Sequence, residues 1–426
     1  MTTRPHPMRR LAGALTLTAA ALLAACGGGG GDSAGVGTGG TGSFSVGPIT
    51  GFGSIFVNGL RYEDNGARLV DDDGTVKVLG SDDNPLKVGM VVEVNGSVDG
   101  SGARKATQIA YGAEIEGPVT AVDAAAGSFQ VFGITVRTSP TTVYDNFGGV
   151  GALAVGHVVE VHGQADTAGG IVATYVEREA TSEAAFAAGD GEYRLRGPIS
   201  GLAGTSAAYT FSVRGVAMRT DAATRIDGTP AEGATVSVKL DPTRQGDGRY
   251  RVERLKLRKA GYDDVSSSTQ AEVEGYVSEF NAAAGSLRVA GYAAQLGGSV
   301  VYEDGVAADL KNGIRVEAKG SIQNGVLVVA KLEIESRDDD DDGIDDDVSG
   351  GSKEFEFEGS ATCISCAAGS GSFSIKGVTV SYDAATEFRD GLSGSTLAGR
   401  QLEVKAVAEA AAGGTAYRAT RIELDD

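Results

Sequence analysis

The sequence predicts an all-β protein in which one small barrel recurs five times in tandem, after an export signal and a flexible tether. Three observations support this prediction. Glycine makes up 65 of the 426 residues, against 9 prolines and no tryptophan. Four short phrases recur in the same order five times, with the alternation of apolar residues that β-strands require. The net charge of −20 repels phosphate and argues against nucleic acid as a partner.

The first 25 residues have the pattern of a bacterial signal peptide. Residues 1–10 hold three arginines and no acid, and residues 11–23 form an apolar run too short to cross a bilayer. The sequence Leu23-Ala24-Ala25-Cys26 then resembles a lipobox, which implies cleavage before Cys26 and acylation of that residue. Gly27 in place of an aspartate favours the outer membrane. The alternative is an ordinary signal peptide that precedes a chance cysteine.

Residues 26–43 are predicted to be the lipidated cysteine and a flexible tether. Ten of the seventeen residues 27–43 are glycine, which gives a reach of roughly 23 Å. Residues 31–35 match the nucleophile pattern G-x-S-x-G, and residues 35–40 match the dinucleotide pattern G-x-G-x-x-G. Neither has the strand before it and the helix after it that such motifs need, so glycine density accounts for both.

The repeated phrases define five units. The opening phrase begins at a glycine in each copy: Gly47, Gly117, Gly197, Gly275 and Gly359. A second phrase, apolar-x-Gly-apolar, follows 12 to 18 residues later, with its glycines at Gly59, Gly133, Gly215, Gly291 and Gly377. A third glycine then leads into an alternating strand: Gly89, Gly156, Gly233, Gly313 and Gly399. A closing strand completes each unit.

The second phrase predicts a β-hairpin. Before Gly59 the apolar residues Ile55 and Val57 are odd-numbered, whereas Leu60 and Tyr62 after it are even-numbered. A continuous strand would send the second pair to the opposite face, but a two-residue turn at Asn58-Gly59 sets Val57 opposite Leu60 on one face. A β-bulge at the glycine is the alternative. Either way we expect these glycines to serve backbone geometry.

Each unit therefore reads as about five short strands without a convincing amphipathic helix. Closing such a small sheet into a barrel removes exposed edges, and we predict an OB-like barrel for each unit. The predicted units are residues 44–112, 113–180, 191–260, 270–337 and 354–426. Polar or small-residue stretches at 181–190 and 261–269 and an Asp-rich linker at 338–353 indicate separate beads joined by short linkers.

The lipobox and the repeated phrases together resemble a proteobacterial lipoprotein family, labelled domain of unknown function 5666. Residues 86–96 and 153–163, with the pattern L-x-x-G-x-x-V-x-V-x-G, are most similar to it. Units three and five depart from the pattern, because Pro230 to Gly233 lacks the leucine and Leu402 to Lys405 lacks the closing glycine. The resemblance implies the fold and an envelope location, and it implies no activity and no catalytic residue.

Few residues could carry catalysis. Outside the signal peptide the only histidines are His157 and His162, and on one strand an offset of five places them on opposite faces. We therefore predict no catalytic residue and no enzyme. Cys363 and Cys366 form a C-x-x-C without a βαβ context, which favours a local disulfide in an oxidising envelope over a redox or metal role.

The Asp-rich linker is a candidate calcium site. Residues 338–347 contain eight aspartates, and the D-x-D-x-D-G order resembles calcium loops whose oxygens suit a hard cation. The candidate ligands are Asp338, Asp340, Asp342 and Asp345. Ser349 stands where an EF-hand has its bidentate glutamate, and a solvated linker is the alternative. Calcium is the only cofactor the sequence suggests.

We predict a non-enzymatic, outer-membrane lipoprotein that faces the periplasm or the cell surface. It would contact the membrane through its lipid anchor, bind an envelope or surface component and remain a monomer, acting as an extended spacer or interaction array. The alternative is an OB-like repeat protein that binds a divalent metal, a cationic ligand or an oligosaccharide. The scarcity of aromatic residues weakens base stacking, which again excludes nucleic acid from the expected partners.

Overall fold

The computed structural model describes residues 42–425, apart from 81–83, 167, 206–207, 259–260, 263–264 and 336–353. Within these residues almost all regular structure is β-strand, as predicted. The predicted units are called modules 1 to 5 in chain order. No helix in the described ranges is long and apolar enough to span a membrane.

Modules 1 to 3 contain the first nineteen strands. Module 1 consists of β1 (Gly42–Phe52), β2 (Ile55–Val57), β3 (Leu60–Glu63), β4 (Arg68–Val70), β5 (Val76–Val78), β6 (Val91–Val98) and β7 (Arg104–Tyr111). Module 2 consists of β8 (Ile115–Asp123), β9 (Ser128–Val131), β10 (Ile134–Arg137), β11 (Val143–Asp145), β12 (Val158–Ala165) and β13 (Ile171–Ala180). Module 3 consists of β14 (Tyr193–Thr205), β15 (Ala208–Val213), β16 (Val216–Arg219), β17 (Arg225–Asp227), β18 (Thr235–Arg244) and β19 (Tyr250–Leu257).

Modules 4 and 5 contain the remaining twelve strands. Module 4 consists of β20 (Gln270–Asn281), β21 (Ser286–Val289), β22 (Tyr292–Glu303), β23 (Arg315–Gln323) and β24 (Val326–Glu335). Module 5 consists of β25 (Phe355–Ser360), β26 (Thr362–Ser365), β27 (Gly371–Ile375), β28 (Val378–Tyr382), β29 (Glu387–Phe388), β30 (Gln401–Ala411) and β31 (Gly414–Leu424). One 3-10 turn precedes the second-last strand in each of modules 2, 4 and 5: Val150–Ala152 before β12, Ala307–Asp309 before β23 and Gly394–Thr396 before β30.

Each module closes into a five-stranded barrel. In module 1, β1 pairs antiparallel with β2, and β2 with β3. β3 then pairs parallel with β7, which pairs antiparallel with β6, and β6 returns to β1. The corresponding strands of modules 2 to 4 pair in the same order. Module 5 has the same order with a divided opening strand, in which β25 pairs with β30 and β26 with β27. This arrangement confirms the predicted all-β fold of five small OB-like barrels.

The predicted hairpin is present in every module. Val57 lies opposite Leu60 and Ile55 opposite Tyr62, as the change of phase requires. Asn58 and Gly59 have φ of 53° and 68°, the positive values of a type I′ turn. The first turn residue has φ between 47° and 54° in all five copies, although it is a phenylalanine, an arginine, an alanine or a lysine in the others. The turn alternative is therefore correct, and the bulge alternative is wrong at this position.

The first turn residue also explains the glycine of the opening phrase. In module 2 the ring of Phe132 lies so close to Gly117 that a Cβ on that glycine would collide with it. Asn58 lies over Gly47 in the same way and donates a hydrogen bond from Nδ2 to the Val46 carbonyl oxygen at 2.9 Å. The opening glycine thus leaves room for the hairpin to fold back over the opening strand.

The junction between modules 2 and 3 departs from the prediction. Residues 181–190 were expected to be a polar linker, but Glu183–Ala188 forms a short helix, α1. Its first turn is capped by the Ser182 hydroxyl, which accepts from the Ala185 N–H at 3.1 Å. Phe186 on this helix is buried and stacks on Tyr193 with ring centroids 5.4 Å apart. The alanine-rich composition therefore forms a helix because one aromatic residue anchors it.

The modules contact one another and are not separate beads. One hydrophobic core joins modules 1 and 5 and includes Val143 and Tyr175 of module 2. A second core joins modules 2 and 3, and a third belongs to module 4 and includes Phe44 and Val46 from β1. The opening strands also pair between modules. β1 runs parallel to β20 along residues 43–46 and parallel to β25 at Gly51 and Phe52, while β8 pairs antiparallel with β14.

Candidate site: a cavity and an acidic turn between the modules

A cavity of about 350 Å³ lies where modules 1 to 4 meet. It is large enough for a small organic ligand. Three tyrosines and three arginines supply most of its large side chains: Tyr111, Tyr276, Tyr292, Arg196, Arg214 and Arg258. Three carboxylate residues, Glu93, Glu114 and Asp166, also line it. The cavity therefore combines aromatic faces with charged groups of both signs.

Two arginines of module 3 share one carboxylate of module 2 at this cavity. Arg196 donates from Nη1 to Glu114 Oε1 at 3.0 Å, and Arg214 donates from Nη2 to Glu114 Oε2 at 3.1 Å. Arg214 is the first residue of the module 3 hairpin turn, and its Nε donates to the Arg196 carbonyl oxygen at 2.7 Å. The turn geometry thus positions the guanidinium, and shared charge-assisted hydrogen bonds hold both arginines in place.

The module 4 wall carries a tyrosine paired with a carboxylate of module 1. The Tyr292 hydroxyl donates to Glu93 Oε2 at 2.5 Å. Burial, together with the neighbouring Glu93 carboxylate, raises the pKa of Tyr292 well above its usual value. The phenol therefore stays protonated and remains a hydrogen-bond donor.

Behind the cavity, an acidic turn of module 1 lies on a basic face of module 3. The acidic turn is Asp71–Gly74, between β4 and β5. The basic face consists of the outward side chains of β14, β18 and β19 and the residue after β19: Arg194, Arg196, Lys239, Arg254, Lys256 and Arg258. In the sequence Tyr193-Arg194-Leu195-Arg196, the apolar residues are buried and the arginines point outward, as strand alternation dictates.

Asp72 makes the most extensive contacts of the acidic turn. Its carboxylate accepts from Arg196 Nη2 at 3.1 and 3.2 Å and pairs with Arg258 Nη1 at 3.0 Å. The Ser237 hydroxyl donates to it at 3.2 Å, and Lys256 Nζ donates to the Asp72 carbonyl oxygen at 3.1 Å. A Cβ on Gly112 would collide with this carboxylate, so glycine is needed there for close approach.

Asp73 contacts the outer part of the same face. Its Oδ2 lies 2.7 Å from Lys239 Nζ and 3.9 Å from Arg194 Nη1. Arg254 donates to the Asp73 carbonyl oxygen at 2.5 Å and to its Oδ1 at 3.3 Å. One turn of module 1 therefore contacts all six cations of the basic face through two carboxylates and two carbonyl oxygens.

At this contact, burial and neighbouring charges have opposite effects on the pKa of Asp72. Burial alone would raise the pKa of Asp72, but Arg196 and Arg258 outweigh it and lower the pKa below its usual value. Burial and the neighbouring Arg258 lower the pKa of Lys256. Asp72 is therefore held ionised, while the positive charge around Lys256 is incompletely balanced.

The two histidines do not form a joint site. His157 accepts the Ala154 N–H at Nδ1, at 3.2 Å, in the turn before β12. His162 is buried within β12, with Nε2 2.7 Å from Glu160 Oε1. His157 precedes the strand on which His162 lies, so the alternation along one strand that was expected from the sequence does not apply to this pair.

A disulfide joins Cys363 to Cys366, with their Cα atoms 5.7 Å apart. The bridge links Cys363, within β26, to Cys366, the residue that follows this strand. Cys26 and the candidate calcium ligands Asp338, Asp340, Asp342 and Asp345 lie outside the described residues.

One group of carboxylates among the described residues has metal-like geometry. Single oxygen atoms of Glu356, Glu358 and Glu403 lie within 4.8 Å of one another on the module 5 barrel. Arg61 of module 1 already donates to Glu358 at 2.8 and 3.1 Å. Burial and the nearby Glu403 carboxylate raise the pKa of Glu356 to about 7. Arg61 and the raised pKa of Glu356 both reduce the repulsion among these carboxylates.

The contact between acidic turn and basic face was missed from the sequence. Residues 71–74 carry no motif that predicts a partner. A signal was available, because residues 191–260 hold 13 basic and 7 acidic side chains in a chain that is acidic overall. The charge of the whole chain concealed this local basic region.

Comparison with known proteins adds the following. The model of a family described as a domain of unknown function (DUF5666) matches residues 46–110, 116–177, 196–251, 274–333 and 364–423. No curated protein sequence matches the chain. The structure of Drosophila Unr CSD456 is 12% identical and covers 54% of this chain and 96% of its own, with a TM-score of 0.14. A multidomain protein with nucleic acid binding domains from Streptococcus pneumoniae is 11% identical and covers 51% of this chain and 74% of its own, with a TM-score of 0.13. Such TM-scores support no argument about function.

Proposed function

Because the chain belongs to the DUF5666 family, whose description names no activity, we propose its function from the site: a non-enzymatic, membrane-anchored envelope lipoprotein whose five barrels form one interaction array. The spacing of the repeats alone left an extended spacer equally open. The contacts between modules favour the array, since a spacer needs no such contacts.

The observation that carries this proposal is the insertion of the acidic turn of module 1 into module 3. Asp72 is buried there against Arg196 and Arg258, at 3.0 to 3.2 Å. A buried carboxylate that satisfies two guanidinium groups sets the relative position of its modules, because shifting it would leave charges unpaired in a low-dielectric region. Modules in defined positions can present a composite surface to a partner.

The anchor rests on the sequence of the amino-terminal region. The lipobox-like Leu23-Ala24-Ala25-Cys26 supports acylation at Cys26, and the glycine-rich residues 27–43 would connect the acylated cysteine to the array. The anchoring experiment compares wild type with Cys26→Ala in cell fractions. We expect wild type in the outer-membrane fraction and the variant in the soluble envelope fraction. An unchanged distribution would contradict the anchor.

The array is tested separately by small-angle X-ray scattering on the soluble Cys26→Ala chain. We expect a single maximum dimension that increases when Asp72→Ala and Asp73→Ala are added, because the contact between modules 1 and 3 is lost. Asp99→Asn is the matched control, since Asp99 lies in an exposed turn and asparagine keeps an oxygen for the Ser101 and Ala103 N–H groups. Equal dimensions for all three chains would refute the array.

The cavity favours a second candidate function, the binding of an oligosaccharide. Its arginines are paired with carboxylates, so a neutral ligand would leave no charge unmatched, and its tyrosine faces can pack against sugar rings. Calorimetry with maltose and chitobiose tests this, with spermidine as the cationic probe. We expect Tyr111→Ala to weaken sugar binding and Tyr302→Ala, outside the cavity, to leave it unchanged. No heat with either sugar would refute this candidate.

A further inference from the structure

Module 3 differs from the rest of the chain in charge. Residues 191–260 carry a net charge of +6, whereas the whole chain carries −20. Six of the basic side chains form the basic face. The acidic turn of the same chain lies on this basic face. Its two carboxylates indicate that the face can bind anions.

The cations stand in rows across a three-stranded sheet. In the first row, Arg194 pairs in register with Lys239, and Lys239 with Arg254. In the second row, Arg196 pairs with Ser237, and Ser237 with Lys256. Like charges directly opposite each other in a sheet repel, so this arrangement is unfavourable unless anions lie over it.

Neighbouring carboxylates compensate four of the six cations. Glu116 and Glu114 of module 2 pair with Arg194 and Arg196, at 2.9 and 3.0 Å. Within module 3, Glu192 pairs with Lys239 at 2.6 Å and Asp227 with Arg254 at 2.7 Å.

The other two cations depend on the acidic turn. Among the described residues, Arg258 pairs with the Asp72 carboxylate alone, and Lys256 contacts the Asp72 carbonyl oxygen. Without the turn, Arg258 would lose its carboxylate and Lys256 its carbonyl acceptor, and the basic face would be left with an excess of positive charge.

We propose that the basic face of module 3 is a binding site for multivalent phosphate-type anions, and that the acidic turn of module 1 occupies it as a built-in competitor. Asp72 and Asp73 place two anionic centres side by side, as neighbouring phosphoryl groups do. Guanidinium groups offer paired N–H donors that match phosphate oxygens, and lysines add point charges.

An anion would have to displace the acidic turn to bind. The space left between the turn and the basic face is only about 10 Å³, too small for a phosphate group. The turn joins the short strands β4 and β5, and β5 is exposed along its whole length, with Val76 46% exposed. Displacement therefore moves the turn and the exposed β5, while β4 stays in place through its pairing with β7 and its buried Leu69.

The experiment uses the soluble Cys26→Ala chain and inorganic tripolyphosphate in isothermal titration calorimetry. We expect Asp72→Asn/Asp73→Asn to lower the Kd for tripolyphosphate at least tenfold relative to its parent. Adding Arg254→Ala and Lys256→Ala should reverse the gain, and higher salt should weaken binding. The matched control is Asp99→Asn/Asp123→Asn, two exposed aspartates of other turns. The Asp72→Asn/Asp73→Asn chain is called the opened variant. Equal affinity of the opened variant and its parent for tripolyphosphate would overturn the proposal. A gain in affinity that survives loss of Arg254 and Lys256 would also overturn it.

A second arm distinguishes free anions from a lipid headgroup. Flotation with vesicles of phosphatidylcholine containing phosphatidic acid reports binding to membrane phosphate, and plain phosphatidylcholine is the control. Binding of the opened variant to the acidic vesicles assigns the site to a headgroup, and binding of tripolyphosphate alone assigns it to a soluble anion. Binding to neither probe refutes the site.

A third measurement needs no substitution in the acidic turn. In the parent chain, tripolyphosphate should increase proteolytic cleavage at residues 71–75 several-fold over sodium chloride of equal ionic strength, because the displaced turn becomes accessible. Equal cleavage in both salts would contradict the competition, even if the opened variant failed to fold.

Discussion

Asp72 and Arg196 are 124 positions apart in the chain, yet the Arg196 guanidinium donates to both oxygens of the Asp72 carboxylate, at 3.1 and 3.2 Å. The contact joins a loop of the first barrel to the opening strand of the third. It links modules that are not neighbours in sequence and forms the rear wall of the cavity through Arg196 and Arg258.

Asp72→Ala should lower the free energy of unfolding by roughly 3–5 kcal/mol, because it leaves Arg196 and Arg258 buried without their carboxylate. Urea unfolding followed by circular dichroism at pH 7 measures the change. Asp99→Asn should leave the curve in place. Coincident curves for Asp72→Ala and wild type would show that the pair contributes nothing to stability.

Gly51→Ala should separate module 5 from module 1 without unfolding either barrel. A Cβ at this position collides with the main-chain oxygen of Glu356, which belongs to the parallel pairing of β1 with β25. Limited proteolysis should then release a fragment that starts after the 338–353 linker. Gly59→Ala is the matched control, because that Cβ meets no atom within 4 Å and costs only the local strain of a positive φ. Equal fragment patterns for the two variants would contradict the proposed role of Gly51.

Glu317→Gln should remove an alkaline loss of stability. Burial and the adjacent Glu272 carboxylate raise the pKa of Glu317 to about 9, and Lys319, 2.6 Å from Glu272, only partly opposes this. A carboxyl group whose folded pKa is raised stabilises the fold below its unfolded value near 4.5 and loses that contribution as the pH rises through the folded value.

As the pH rises from 6 to 9, the unfolding free energy of the wild type should therefore decrease by an amount on the order of 2 kcal/mol, which lowers its urea midpoint. The decrease should be smaller in the variant. Glu279→Gln, an exposed position in the same module, serves as the control. A wild-type midpoint independent of pH in this range would contradict the prediction.

The Cys363–Cys366 bridge should stabilise module 5 modestly. A four-residue loop gives about 2 kcal/mol from chain entropy, so Cys363→Ser/Cys366→Ser should lower stability by about that much and leave the module folded. Thiol titration of the unfolded, non-reduced Cys26→Ala chain should find no free thiol. Two reactive thiols in that titration would show that the purified protein lacks the bridge.

Local features of the fold could be predicted from the sequence, because they depend on nearby residues. The change of phase around Gly133 required a two-residue turn, and the structure has one, with Val131 opposite Ile134. The recurrence of such hairpins with two long closing strands was sufficient to predict a small barrel. Helix α1 was missed, since only the packing of Phe186 on Tyr193 distinguishes it from a linker.

Contacts between modules could not be predicted. The repeated phrases specify the strands and turns within each barrel, and they carry no information about which barrels contact one another. Nothing near Ser43 or Gly51 indicates pairing with residues beyond position 270. The basic face was partly accessible to sequence reasoning. Alternation in Arg254-Leu255-Lys256-Leu257-Arg258 places three cations on one face, but the carboxylates over them come from a turn some 180 residues earlier.

The parallel pairing of β1 with β20 and β25 has a consequence for biogenesis. Polypeptides emerge from the ribosome amino terminus first, so the first barrel can form before the strands that cover its edges have been synthesised. Until residues 270–273 and 356–357 emerge, both halves of β1 present open hydrogen-bonding groups. Module 1 is thus the first module to be made and the last to have its edges covered. During that interval the nascent chain is most open to aggregation or to protection by a chaperone.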